Sequence, residues 1–235
     1  MPLPPLPLWL RKLRFRLGLV VLTTLVICTA LQLLFGLAVN IAHVQFFETL
    51  YLEGFALSLP GIANLHLWQF LTYGLVHDLT SPFHLLFNGL ALYWFAPPFE
   101  RRYGSLATLR LLLMAVLLGG LFQTLWMLMD VKLLHGDPSF TVGISAAIMA
   151  FCAAFGWMQP TTRVLVMFVV PLEARWLAPL GLAIDFLLFA SGSHIAFFAH
   201  LGGYLAAWFL VKGRGNPQFI WKQMTQRKRP LVVVN

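Results

Sequence analysis

Gly143-Ile144-Ser145 opens one apolar run and Ala199-His200 lies inside another, so a hydroxyl and an imidazole sit in sequence hydrophobic enough for a bilayer. Ionisable and strongly polar side chains are costly inside a membrane, which makes each of them a candidate functional group. A serine with a histidine is the minimum nucleophile and base: the imidazole takes the hydroxyl proton while the oxygen attacks a carbonyl. Ser145 stands near the start of a short run, Gly143 to Met158, that ends before Gln159-Pro160. A helix over that run puts Ser145 at its N-terminus, where unpaired backbone N–H groups and the positive end of the dipole can stabilise an oxyanion. An ordinary N-cap serine fits the same position.

His200 is followed by Gly203 and Ala207, and the run after Ser145 carries Ala146, Ala150, Ala153 and Ala154. Small residues at such spacing let membrane helices approach closely, which would bring Ser145 within reach of His200; packing alone would use the same residues. His84 and Asn88 are four apart in a helical run and project from one face. Both can donate to an oxyanion beside the Ser145 backbone N–H, or they form a structural hydrogen-bonded pair.

The elements that hold these groups are apolar. Hydrophobic residues make up 60% of the 235, charged residues 10%, and mean hydropathy is +0.81, outside the range of ordinary soluble domains. Leu17 to Val39 is uncharged and long enough, at about 1.5 Å per residue, to cross a hydrocarbon core of roughly 30 Å. No small-residue cleavage site follows it, so it reads as a span and not a cleaved signal. The formal charge of +8 sits at the two ends, in Arg11, Lys12, Arg14 and Arg16 and again in Lys212, Arg214, Lys222, Arg227, Lys228 and Arg229. That distribution orients helices and meets anionic lipid headgroups; it is not a nucleic-acid face. Cys28 and Cys152 lie in apolar runs without metal-type spacing and read as small core residues.

Further apolar runs cover about Ser81 to Ala96, Leu106 to Met129, Gly143 to Met158, Trp176 to Ala190 and Ile195 to Val211. The expectation is an all-α membrane protein of six transmembrane helices with both termini cytoplasmic. It divides into a basic N-terminal segment (1–16), a six-helix membrane domain (17–212) and a basic tail (213–235). Under this topology Arg101, Arg102, Arg110, Arg163 and Arg175 lie on the cytoplasmic side, and Lys132 is the only lysine or arginine outside. All seven histidines, His43, His66, His77, His84, His135, His194 and His200, map to the outer side or to the spans bounding it, so the polar site opens outward. Pro97-Pro98 is expected to end the second span, and Asn40 to Leu67 to form a long amphipathic loop in the membrane interface.

Several motifs together resemble those of the rhomboid intramembrane serine proteases, over about Trp68 to Trp208. Trp68-Gln69-Phe70-Leu71-Thr72-Tyr73 through His77 is similar to the approach to that family's second span, and His84-Leu85-Leu86-Phe87-Asn88 to its histidine and asparagine motif. Glu100-Arg101-Arg102-Tyr103-Gly104 resembles the cluster after that span, Gly143-Ile144-Ser145 the nucleophile motif, and Ala199-His200-Leu201-Gly202-Gly203 the general-base motif.

The resemblance implies Ser145 as nucleophile, His200 as general base, His84 and Asn88 as oxyanion donors, and His77, Gly143 and Gly203 as structural residues beside the site. It implies hydrolysis of peptide bonds in or near transmembrane segments of protein substrates, with no metal or organic cofactor. Ser191-Gly192-Ser193 would belong to a mobile cap over the site. The compact form implies a multi-pass protein of a bacterial inner membrane. The family uses a serine and histidine dyad; Asp185, fifteen residues before His200, is expected to serve a polar interface or helix packing, and Glu100 with Arg102 to tie down a loop. Met149 stands where the family often has an aromatic residue packed on the histidine, and Ala207 where glycine is frequent. The alternative class is a non-catalytic rhomboid-like protein that binds transmembrane segments.

Overall fold

The computed structural model describes residues 17–136, 139–166, 169–193 and 195–212. The basic segment 1–16, the tail 213–235 and His194 lie outside the described residues. Helix α1 (Leu19–Phe35) continues through a π-helical segment, Gly36–Ile41. Short pieces follow: α2 (Gln45–Thr49) with a π segment Leu50–Phe55, strand β1 (Leu57–Ser58), α3 (Leu59–Ala63) and α4 (Gln69–Thr72). Then come α5 (Pro82–Tyr103), α6 (Ser105–Met129) with a π segment Asp130–Leu134, β2 (Phe140–Thr141) and α7 (Ser145–Met158). A hairpin of β3 (Arg163–Val166) and β4 (Val170–Glu173) leads through a 3-10 turn to α8 (Leu177–Ala190), and α9 (Phe197–Ala207) ends in a π segment, Trp208–Lys212.

The chain is mostly helical, with two small antiparallel ladders that the all-α expectation did not contain. One pairs Leu57 with Thr141 and Ser58 with Phe140, joining the long loop to the segment before Ser145. The other joins β3 to β4, pairing Val164 with Leu172, Leu165 with Pro171 and Val166 with Val170, apolar residues that suit a ladder. By length and composition two helices suffice to cross a membrane, Leu19–Ile41 and Ser105–Leu134; Ser145–Met158 and Phe197–Lys212 are apolar but shorter. Helix α5 is long enough, but His84, Asn88, Glu100, Arg101 and Arg102 dilute its apolar character.

Pro97 and Pro98 do not end α5, which runs on to Tyr103. Packing overrides the two missing N–H donors: Phe95, Ala96 and Phe99 are buried around them. The buried Glu100 carboxylate also anchors the last turn. It accepts the backbone N–H groups of Val20 (2.9 Å) and Val21 (3.1 Å) and the Ser105 hydroxyl (2.7 Å). Glu100 thereby caps α1 with a negative charge at the positive end of its dipole. Arg102 lies over the Tyr103 ring; of the expected pair, Glu100 does tie down the connection after α5, through Ser105, and caps α1 as well.

Helix α7 is the centre of the bundle, burying Ala146, Ala147, Ala150, Phe151, Ala153 and Ala154. Its alanines let neighbours come close. A Cβ on Gly203 of α9 would collide with the Ala146 carbonyl, and one on Gly202 would meet the Leu118 carbonyl at 2.6 Å and Gly119 Cα at 2.7 Å. Gly119 of α6 in turn faces Ala146 Cβ and the Ala199 carbonyl. Three helices thus meet backbone to backbone at Gly119, Ala146 and Gly202-Gly203. Helix α8 is peripheral: it buries only Ala178 and exposes Leu180, Ile184, Phe186 and Leu187. Apolar residues therefore cover outer surfaces as well as the core, the inverse of a water-facing helix.

Candidate active site

Gly143 has φ +113°, a conformation that favours glycine, and its N–H donates to the Tyr73 carbonyl at 2.9 Å. The turn it makes delivers Ser145 as the first residue of α7. Ile144, not Ser145, occupies the cap position, and no side chain caps the helix. The ordinary-cap alternative therefore does not describe Ser145, which is half-buried with the first, intrahelically unpaired N–H groups around it.

His84 and Asn88 face this turn from α5. A Cβ built on Gly143 would lie 2.8 Å from His84 Nε2 and 3.4 Å from Asn88 Nδ2, so the glycine is required by space as well as by φ. The Asp78 backbone N–H donates to His84 Nδ1 at 3.3 Å. Since Nδ1 accepts, the proton of the neutral ring is on Nε2, the nitrogen toward Gly143. Asn88 Nδ2 is buried without a protein partner among the described residues, an arrangement that costs about 1–3 kcal/mol unless another group accepts from it. Two donors and the α7 N-terminus thus converge on one small volume.

His200 lies one turn before Gly203 on α9, and Gly203 packs on the backbone of Ala146, the neighbour of Ser145 in sequence. His200 is also close enough to His84 to interact electrostatically. Its Nδ1 is 2.7 Å from Asp185 Oδ2 on α8. Asp185, expected at a polar interface or in helix packing, does make a polar contact between two helices, and its partner is His200. Helices α8 and α9 are antiparallel neighbours joined by a short connection, so a residue shortly before the end of one stands level with a residue shortly after the start of the other. Met149 lies against α8 as well, its Cε 3.3 Å from the Cβ position of Gly181, one turn before Asp185.

His77 is fully buried, 5.2 Å from the His84 ring in an edge-on contact, and neither of its nitrogens has a partner among the described residues. Burial, helped by the neighbouring His84, pushes its pKa down to about 3. The loop around it is clamped by three side chains that sequence reasoning did not single out. Tyr51 Oη donates to the His77 carbonyl (3.0 Å), Gln32 Nε2 to that of Asp78 (3.1 Å) and Asn40 Nδ2 to that of Leu79 (2.7 Å). The one available signal was a polar Gln32 in an otherwise apolar run. The Trp68 motif has a similar role: Gln69, Trp68 and Thr72 donate to the carbonyls of Glu53 (2.6 Å), Gly54 (2.8 Å) and Phe55 (3.0 Å). Of the other histidines, His66 stacks on Trp68 at 4.6 Å, and His43 and His135 adopt positive φ in loops.

An apolar helical bundle that gathers a serine, a histidine and an asparagine around one glycine turn defines a membrane-domain class with a polar interior site. A family model described as the rhomboid domain matches residues 64–215, and the chain belongs to the rhomboid family. That family consists generally of intramembrane serine proteases, and membership makes this a membrane protein. No curated protein matches the chain.

Proposed function

We propose that this protein is an intramembrane serine endopeptidase that cuts peptide bonds in or near transmembrane segments of membrane proteins. The observation that carries the reading is the convergence of His84 Nε2, Asn88 Nδ2 and the Ser145 helix start on Gly143; the packing of Gly203, one turn after His200, on Ala146 supports bringing His200 to the same place. In this reading the free Nε2 of His200 accepts the Ser145 Oγ proton as the oxygen bonds to the carbonyl carbon. The oxyanion is met by the Ser145 N–H, His84 Nε2–H and Asn88 Nδ2–H. Collapse breaks the C–N bond, the leaving amine takes the proton from His200, and water repeats the attack on the acyl-enzyme. These steps use three side-chain partners of the serine, its own backbone N–H and water.

The six apolar runs support a multi-pass arrangement with both termini cytoplasmic in a bacterial inner membrane, because basic residues crowd the ends and the loops that would face inward. Substrates are transmembrane proteins reached through the lipid, with lipids as the surrounding partner. Cleavage of a reporter transmembrane segment in liposomes, comparing wild type with Ser145→Ala, tests this. Cleavage by wild type and its loss in the variant is the expected result. A wild type that is inert on several reporters and unlabelled by a serine-reactive fluorophosphonate would overturn it in favour of a binding protein.

A further inference from the structure

The 2.7 Å contact between His200 Nδ1 and Asp185 Oδ2 is a side-chain bond between two helices, with the two side chains only 14% and 16% exposed. Asp185 is the one acid of α8, on a helix otherwise apolar from Leu177 to Ala190. Placing a carboxylate there is costly unless it is hydrogen-bonded or paired. Among the described residues its ion-pair partner is His200. Because the two imidazole nitrogens point to opposite sides of the ring, a bond at Nδ1 directs Nε2 away from Asp185.

We propose that Asp185 is a positioning residue that completes a serine, histidine and acid triad. This inference rests on the reading of Ser145 and His200 given above. Asp185 accepts the Nδ1–H of neutral His200, which leaves Nε2 without a proton and free to take the one on Ser145 Oγ. When Nε2 gains that proton, the carboxylate faces a cationic ring; it stays ionised, and the proton later leaves from Nε2 to the departing amine. Met149 does not contribute a ring to hold the histidine, since its thioether is directed at Gly181; the hydrogen bond supplies the orientation. Around the ring the titratable groups are Asp185 from α8 and His84 from α5, with Asp78 and His77 beside His84. Helices α6 and α7 meet α9 through Gly119 and Ala146.

The experiment compares wild type, Asp185→Asn, Asp185→Ala and Asp185→Glu for cleavage of one reporter in liposomes across pH, with melting temperatures in detergent. A packing role makes Asn, the isostere, the mildest change. The positioning role makes Asn at least as harmful as Ala, because its amide can donate to Nδ1 and force the proton onto Nε2. The expected result is a loss in kcat of about 10²- to 10⁴-fold for Asn with KM nearly unchanged. Asp185→Glu, which keeps the charge, recovers part of kcat. An Asn variant as active as wild type, or a Glu variant no better than Asn at equal melting temperature, overturns the proposal. Those outcomes leave the protease reading standing, because wild type still cleaves and Ser145→Ala does not; an inert wild type defeats the protease reading itself.

Discussion

Asn88 carries a buried amide nitrogen with no acceptor among the described residues, directed at the same glycine turn as His84 Nε2. If it donates to the transition state and not to the resting fold, Asn88→Ala lowers kcat by about 10²-fold with little change in KM, the signature of a bond made only during reaction. A rise in KM at constant kcat would assign it to substrate binding instead. His77 contributes no change of charge near neutral pH, because burial holds its pKa near 3. The residue types of the site were legible in the sequence: Ser145, His200, His84 and Asn88 stand out as polar groups in apolar runs. Their hydrogen-bond partners were not, because the Asp78 backbone N–H on His84 has no side-chain signature and Asp185 reads equally as a packing residue until its distance to His200 is seen.

Helix contacts in the core leave no room at the glycines of α9. Gly203→Val forces a branched side chain onto the Ala146 carbonyl and should cost about 1–3 kcal/mol or more, separating α9 from α7. Its measured signs are a lower melting temperature and a fall in kcat larger than in Gly36→Ala, whose Cβ position is open. Equal stability of the Gly203 variant and wild type would refute close packing there. Helix positions were largely legible from hydropathy: the runs anticipated α1, α6, α7 and α8 to within a few residues. The end of α5 was not, because proline rules are local and Glu100 is anchored by Val20 and Val21, far away in sequence. The β1–β2 ladder escaped for the same reason: two residues on each side pair across a separation that no periodicity reports.

At the scale of the molecule, burial of neutral His77 makes stability depend on pH. Its folded pKa lies below its unfolded value near 6.5, so the unfolded chain binds more protons between the two and acid favours unfolding. Stability is fully present above about pH 6.5 and falls below it, by up to about 1.4 kcal/mol per pH unit, until the folded pKa is reached. Melting temperatures from pH 7 to pH 4 should decline in wild type and decline less in His77→Asn; parallel curves would exclude His77 as the source. Gln32, Asn40 and Tyr51 hold the carbonyls on either side of the backbone N–H that fixes the His84 proton, and all three precede residue 64, where the rhomboid match begins. The border of the recognisable domain is therefore not the border of the working unit: a chain started at residue 64 would keep every reacting side chain and lose the scaffold that tells His84 which nitrogen to offer.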